Sequence, residues 1–263
     1  MQFRRPLEAA QAIVVKVGTK VLLSCDGSIA EEAIRGLTRS IAELQKGGRR
    51  VLLVSSGAVG LGAKSLGLSP NMVSVCAAAG QSALTTLYHR AFEQQGIAAA
   101  QILVTDDDFK TAARQQRLLR TLEHLSELGV VPILNENDVV AYSQEAEQRI
   151  FSDNDMLASL VARAVNADLL VILTDVDGIY DAHPDSDKAS LIPEIRGAHV
   201  LDGADHVSEF GRGGIRSKLK AAIHVAEMHS AVAVIANGRI PNVLEKIMEG
   251  HRIGTLITPL EAK

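Results

Sequence analysis

Two acids and an amide stand together at Asp153-Asn154-Asp155, after Ser152 and before the apolar run 156–162. The spacing of that run predicts a buried helix, so three polar side chains crowd its first turn. A helix start carries unpaired N–H groups and a partial positive charge, which stabilise Asp and Asn there. Capping by Asp153 or Asn154 accounts for one of the three. The rest, set between Phe151 and an apolar helix, point to a site. A second polar cluster, Asn135-Glu136-Asn137-Asp138, ends the strand-like run 130–134. The two clusters read as two walls of one pocket.

Four more stretches carry chemistry-bearing types. Lys16 lies in an apolar strand, where a charge is costly without a partner; it either meets one or snorkels out at the strand end. Ser55-Ser56-Gly57-Ala58-Val59-Gly60-Leu61-Gly62 follows another strand. It fails as a Walker A loop because Ala63 intervenes before Lys64-Ser65, and it reads as a tight turn. Thr174-Asp175-Val176-Asp177-Gly178 offers either a plain Asp-Gly turn or a ledge for a nucleotide. Gly211-Arg212-Gly213-Gly214-Ile215-Arg216-Ser217-Lys218 runs into a helix, an arrangement suited to polyphosphate. Cations are otherwise disfavoured at a helix start. No HExxH or CxxC pattern occurs, and the eight His residues are scattered.

The elements that must position these residues alternate. Apolar runs at 12–17, 50–55, 98–105, 130–134, 168–174, 231–236 and 254–258 predict strands covered on both faces. Helices are predicted over 29–45 (Ser28 as N-cap, Gly47-Gly48 as stop), 72–94, 111–128, 156–166, 217–229 and 243–249. The alternation predicts an α/β fold, a mainly parallel sheet sandwiched by helices. Residues 139–151 read as a short hairpin over the sheet edge, and residues 183–214 as a long functional loop. One domain over 1–263 is expected, with two lobes meeting near residue 170.

Composition narrows the class. The chain has 263 residues, 47% apolar, enough for a sizeable core. Aromatics are 3% with no Trp, and the net charge is −4, which argues against a nucleic-acid partner. Cys25 and Cys76 are too few for a disulfide framework or a zinc site. Without a signal-peptide pattern or a membrane-length run, the expectation is a cytoplasmic protein.

The ordered set Val14–Thr19, Val54–Val59, 132–138, Asp153-Asn154-Asp155, 173–180 and Gly213-Gly214 with Lys218 resembles the amino acid kinase family, and within it the glutamate 5-kinase branch. The resemblance implies a three-layer αβα sandwich. It implies that Lys16 and Lys218 contact the transferring phosphoryl group and that Asp155 holds both lysines. Ser56, Gly57, Asp138 and Asn154, with Asp153 close by, would bind L-glutamate. Lys16, Thr174, Asp175 and the loop Arg212, Gly213, Gly214, Ile215, Arg216, Ser217 and Lys218 would bind ATP. Mg²⁺ would ride on the ATP phosphates, with no protein metal site. The family loop usually has Thr and Met where this chain has Arg212 and Ile215. The resemblance further implies a homo-oligomer (dimer or tetramer) and proline as a feedback inhibitor; many members of that branch carry a C-terminal PUA domain, and none is expected here, since the sequence stops at Lys263 soon after Gly254-Thr255-Leu256. The implied reaction phosphorylates the γ-carboxylate of L-glutamate, the first step of proline biosynthesis. A related kinase acting on acetylglutamate or carbamate, or a non-catalytic nucleotide or amino-acid sensor, are the competing readings.

Overall fold

The computed structural model describes residues 5–24, 27–141, 150, 153–182, 189–197, 214–227 and 231–259. In chain order these form α1 (Arg5–Ala9), β1 (Ala12–Val17), α2 (Thr19–Leu22), α3 (Glu31–Lys46), β2 (Arg50–Ser55), α4 (Ala58–Leu66), α5 (Val73–Glu93) and β3 (Ala99–Val104). They continue with α6 (Asp107–Lys110), α7 (Ala112–Glu127), β4 (Val131–Glu136), α8 (Asp138–Ala141), α9 (Asn154–Ala164) and β5 (Leu169–Thr174). The last elements are β6 (Glu194–Arg196), α10 (Gly214–Ala226), β7 (Val232–Asn237), α11 (Val243–Met248) and β8 (Thr255–Thr258).

The strands form one eight-stranded sheet in the order β3-β4-β2-β1-β5-β7-β8-β6. Every neighbouring pair is parallel except β7–β8. Side chains alternate between the faces. Ile13, Val15 and Val17 of β1 join Val171 and Leu173 of β5 in a core shared with α3, α5 and α11. Val14, Leu170 and Ile172 face the other way, into a core built with α7, α9 and α10. The result is a three-layer αβα sandwich. Each Val, Leu or Ile fully withdrawn from water contributes about 1.5–3 kcal/mol, which is why the central strands can be almost wholly apolar.

Register brings the strand tips level. Val17 is opposite Ser55 and Leu173, Val54 opposite Leu134, and Thr174 opposite Asn237. Because these strands are parallel, their carboxyl ends share one edge, where α/β sheets bind ligands.

Several expectations need correction. The stretch after Ser56 is no tight turn: Gly57 alone turns, at φ 113°, and Ala58–Leu66 is helical. The other glycines there serve packing. A Cβ on Gly62 would lie 1.8 Å from the Cys76 carbonyl oxygen, and one on Gly80 would lie 1.8 Å from that of Ala58. Backbone therefore meets backbone where α4 crosses α5. Ser28 does not cap α3; Ala30 holds that position, without a side-chain hydrogen bond. β3 is a half-exposed edge strand rather than one covered on both faces. The expected loop over 183–214 contains strand β6, which pairs with β8. The expected hairpin begins instead with helix α8, and residues 142–149 lie outside the described residues.

Candidate active site

β1 puts Lys16 on the same face as Val14, toward α9 and α10. The alternative of a snorkelling lysine is not what forms: Lys16 is only 4% exposed. Its Nζ lies 2.7 Å from Oδ1 of Asp155. Oδ2 of the same carboxylate accepts from Lys218 Nζ at 3.0 Å. Lys218 Nζ also donates to the Gly214 carbonyl, one turn back, at 3.2 Å. One buried carboxylate is thus shared between two ammonium groups from distant parts of the chain. Burial, and next the charge of Lys218, push the Lys16 pKa below its ordinary value, while Asp155 pulls it back up. An added anion would relieve that suppression.

The carboxylate is held at the start of α9 by local capping. Of the two residues expected to cap, Asp153 is the N-cap and Asn154 the first helical residue; the Oδ1 of Asp153 accepts from the N–H groups of Asp155 and Met156, both at 3.0 Å. Its Oδ2 accepts from the Ser217 hydroxyl. Two contacts, Ser217 on Asp153 and Lys218 on Asp155, therefore staple the first turn of α10 to that of α9. Helix α10 begins earlier than expected. Gly214, Ile215, Arg216 and Ser217 lie in its first turn, which contains no acid but does contain Arg216. That distribution opposes the helix dipole and suits an anion. Ile215 packs against the core, whereas Arg216 is exposed. Arg212 and Gly213 lie outside the described residues, as do Phe151 and Ser152.

On the other side of Asp155, Asn154 joins an amide network. Its Nδ2 donates to Asn135 Oδ1 at 2.9 Å, Ser56 Oγ at 3.2 Å and the Ser55 carbonyl at 3.3 Å. Asn135 Nδ2 donates in turn to Gln81 Oε1 at 2.7 Å, and Gln81 Nε2 to Thr85 Oγ1 at 3.4 Å. Because the Ser55 carbonyl can only accept, the network fixes which way the Asn154 amide points. Asn154 Oδ1 is buried with no hydrogen-bond partner among the described residues. The fully buried Ser55 hydroxyl is paired with Tyr88 Oη at 2.9 Å and is not part of the opening. Gly57 adjoins Ser56 at the start of α4, and Asp138 opens α8, which packs on α5.

At the tip of β5, Thr174 Oγ1 donates to Asp175 Oδ1 at 3.2 Å, and Lys20 Nζ sits 3.0 Å from Asp175 Oδ2. Partial burial works to raise the Asp175 pKa, but the hydrogen bonds from Lys20, its own backbone N–H and Thr174 outweigh it and hold the carboxyl low. Neighbouring Asp177 accepts from Asn237 Nδ2 at 2.9 Å.

The structure therefore brings Lys16, Lys218, Asp155, Asp153 and Ser217 into one cluster, with Asn154 and Ser56 in a second that shares α9. Asn135 and Gln81 belong with the second cluster and Lys20 pairs with Asp175 at the β5 tip, three residues that the sequence does not single out. Asn135 sat unseparated within its polar cluster. Gln81 and Lys20 carry no local signal, since each reads as an ordinary surface polar residue. Among the described residues, no group of three or more His, Cys, Asp or Glu could hold a metal ion, and no helix is long and apolar enough to cross a membrane.

The sequence profile of the amino acid kinase family matches residues 11–237. A glutamate 5-kinase of Methylococcus capsulatus is 39% identical over 268 residues, with 98% of this chain and 70% of the relative covered. A glutamate 5-kinase of Enterococcus faecalis is 38% identical over 263 residues, with 96% of each covered. A carbamate kinase from Giardia lamblia bound to AMP-PNP superposes with a TM-score of 0.68 at 18% identity, covering 96% of this chain and 99% of that one. An isopentenyl phosphate kinase from T. acidophilum gives 0.66 at 19%, covering 94% and 99%. At such identities the two structures show a shared fold alone.

Proposed function

The chain belongs to the amino acid kinase family, and from that premise we propose that it transfers the γ-phosphoryl group of ATP to the γ-carboxylate of L-glutamate. The products are L-glutamyl 5-phosphate and ADP. One observation carries the reading. The Asp155 carboxylate is gripped by ammonium groups at 2.7 and 3.0 Å, while the adjacent residue, Asn154, belongs to a buried amide cluster. A cationic donor side and a polar acceptor side thus meet at consecutive residues of α9. The relatives named above support glutamate as the acceptor.

The chemistry follows from charge. A γ-carboxylate with a pKa near ~4.3 is ionised at neutral pH and needs no general base. One of its oxygens attacks the γ-phosphorus, the bond to the β-phosphate bridging oxygen breaks, and ADP leaves; no proton moves. The obstacle is bringing two anions together, so catalysis is positioning and charge stabilisation. Lys16 and Lys218 neutralise charge on the transferring group and the leaving ADP, and Asp155 keeps both ammonium groups in place. The orphan acceptor Asn154 Oδ1 fits the α-ammonium of glutamate, with Asp138 supplying countercharge, and Ser56, Gly57 and Asp153 complete that side. Thr174, Asp175 and the start of α10, residues 214–218, take the nucleotide; Arg212 and Gly213 join them by resemblance. Mg²⁺ travels on the ATP phosphates and waters.

The test is hydroxylamine trapping of the acyl phosphate with Mg-ATP, comparing L-glutamate, N-acetyl-L-glutamate and L-aspartate while ADP release is followed. Trapped product with L-glutamate alone is expected, and Lys218→Ala should abolish it with the circular dichroism spectrum unchanged. Product with another acid, or ATP binding without turnover, would replace this reading with a sister kinase or a sensor.

A further inference from the structure

A cavity of about 690 Å³ opens on the other face of the sheet, between α3 and the turn from β7 to α11. Its floor is apolar: Val21, Leu37, Leu173 and Leu244 line it and belong to the core on the α3 side. The lysine pair faces the opposite core, so this space is separate from the cluster at Asp155.

Three features set the cavity apart from a packing defect. The first is charge: Lys20, Arg35, Arg39 and Arg239 line it, against Glu32 as the single lining acid among the described residues. The second is how those cations are occupied. Arg35 is paired with Glu32 at 2.8 Å and Lys20 with Asp175 at 3.0 Å. Arg39 and Arg239 meet only neutral oxygens, Asn242 Oδ1 and the Lys20 carbonyl, each at 2.8 Å. Neither is ion-paired among the described residues, and a guanidinium has five N–H donors to offer. The third is Gly36, in the middle of α3 and on the cavity wall. A Cβ there would meet nothing within 4 Å. Glycine is the poorest helix former after proline, yet here it stands on the wall with open space beside it, room that a large side chain would take up.

We infer that this cavity is a second ligand site, for a small amphipathic anion: an organic carboxylate or phosphate with an apolar body. The size suits such a molecule. The floor takes the apolar part, and Arg39 and Arg239 take the anionic head, a geometry that guanidinium groups serve well. Occupancy is transmitted through Lys20. Its carbonyl is held by Arg239 and its ammonium by Asp175, so an anion that recruits Arg239 loosens α2 and the β5 tip together. Only this last step rests on the reading of Asp175 as nucleotide-binding.

The probe is 8-anilinonaphthalene-1-sulfonate, an anion with an aromatic body, titrated by fluorescence into the full chain with Mg-AMP-PNP and L-glutamate present. One saturable site is expected. Gly36→Leu, Arg39→Ala and Arg239→Ala should each weaken it at least about tenfold, while urea midpoints confirm that all three fold. Gly36→Leu favours the helix, so folding should survive. Octanoate and hexyl phosphate should displace the probe and octanol should not; their relative potency assigns the head group. In wild type, octanoate should also shift the ATP concentration that half-saturates acyl-phosphate trapping, and in Gly36→Leu it should not. Unaltered probe binding in the three variants, or displacement by octanol as good as by octanoate, overturns the inference. Probe binding needs no catalysis, so failure of the trapping assay with binding intact would count against the kinase reading alone.

Discussion

Asp155→Asn removes one negative charge and almost no volume, and the geometry says what that should cost. Two ammonium groups lie 2.7 and 3.0 Å from the carboxylate, and Lys16 is 4% exposed. Removing one partner of a buried ion pair typically costs about 3–5 kcal/mol, because the charge left behind stays desolvated. Lys16 has an escape: it can give up its proton. From the ordinary value of 10.5, deprotonation at pH 7 costs no more than about 5 kcal/mol at ~1.4 kcal/mol per unit, so the loss is capped near there. The sign of the pH dependence follows. Lys16 has its folded-state pKa depressed, so between that value and 10.5 the unfolded chain binds more protons and stability rises with pH. Without Asp155 to pull it up, that pKa falls further in the variant, so the variant's deficit should shrink by up to ~1.4 kcal/mol per pH unit as pH rises from its own lowered value toward the wild type's. Urea unfolding followed by circular dichroism at pH 7 and 9.5 reads this directly. Turnover should fall about 10²–10³-fold, the scale for losing one electrostatic element of a transition-state clamp. A deficit equal at both pH values, or wild-type turnover, would refute the argument that Asp155 exists to hold two cations, one of them buried.

Three further outcomes follow from other parts of the structure. Gly80→Ala would place a methyl 1.8 Å from the Ala58 carbonyl oxygen; a loss of about 3 kcal/mol or more is expected in urea midpoints, and a loss under 1 kcal/mol would mean that α4 and α5 part easily. Asn135→Ala strips Asn154 of an acceptor and Gln81 of a donor. At about 1–3 kcal/mol for such a loss, the glutamate KM should rise about 5- to 150-fold with the ATP KM unchanged, and equal rises in both would show a merely structural role. His224 links α10 to α9, its Nδ1 3.0 Å from Ser159 Oγ and its Nε2 on Arg163. Burial, and next Arg163, hold its pKa below 6.5, against the pull of Glu227. The neutral ring therefore contributes stability that is fully present above pH ~6.5 and lost as pH falls further. His224→Gln should flatten that slope between pH 7.5 and 5.5; an unchanged slope would assign it to other groups.

The central strands and the polar clusters at their tips were legible because both are local signals. Runs of Val, Ile and Leu announce buried strands, and Asp153 before an apolar helix announces an N-cap. What escaped was decided by distant partners. The glycines at 57, 60 and 62 look like turn residues until α5 is present, when Gly62 and Gly80 prove to be where two backbones touch. Strand β6 has three residues and exists through its pairing with β8. Gln81 has the unremarkable look of a polar residue within a helix, and only the fold carries β4 to within 2.7 Å of it. Ser28 has the right type for a cap, but Ala30 occupies the place from which α3 starts.

The position of β1 in the sheet bears on how the chain is made. It is the first of the described strands along the chain, yet it ends up between β2 and β5. β2 emerges soon after it, whereas β5 follows only after roughly 150 further residues, on the order of ten seconds at ribosomal rates. Through that interval one side of an apolar strand has no permanent neighbour, and such an edge invites pairing with other nascent chains. Lys16 is the only charge in that strand. Before Asp155 arrives its ammonium is hydrated and acts as a gatekeeper against aggregation. The side chain that the finished sheet locks against a carboxylate thus keeps the unfinished one soluble, and Lys16→Met should lower the soluble yield in cells as well as the rate of catalysis.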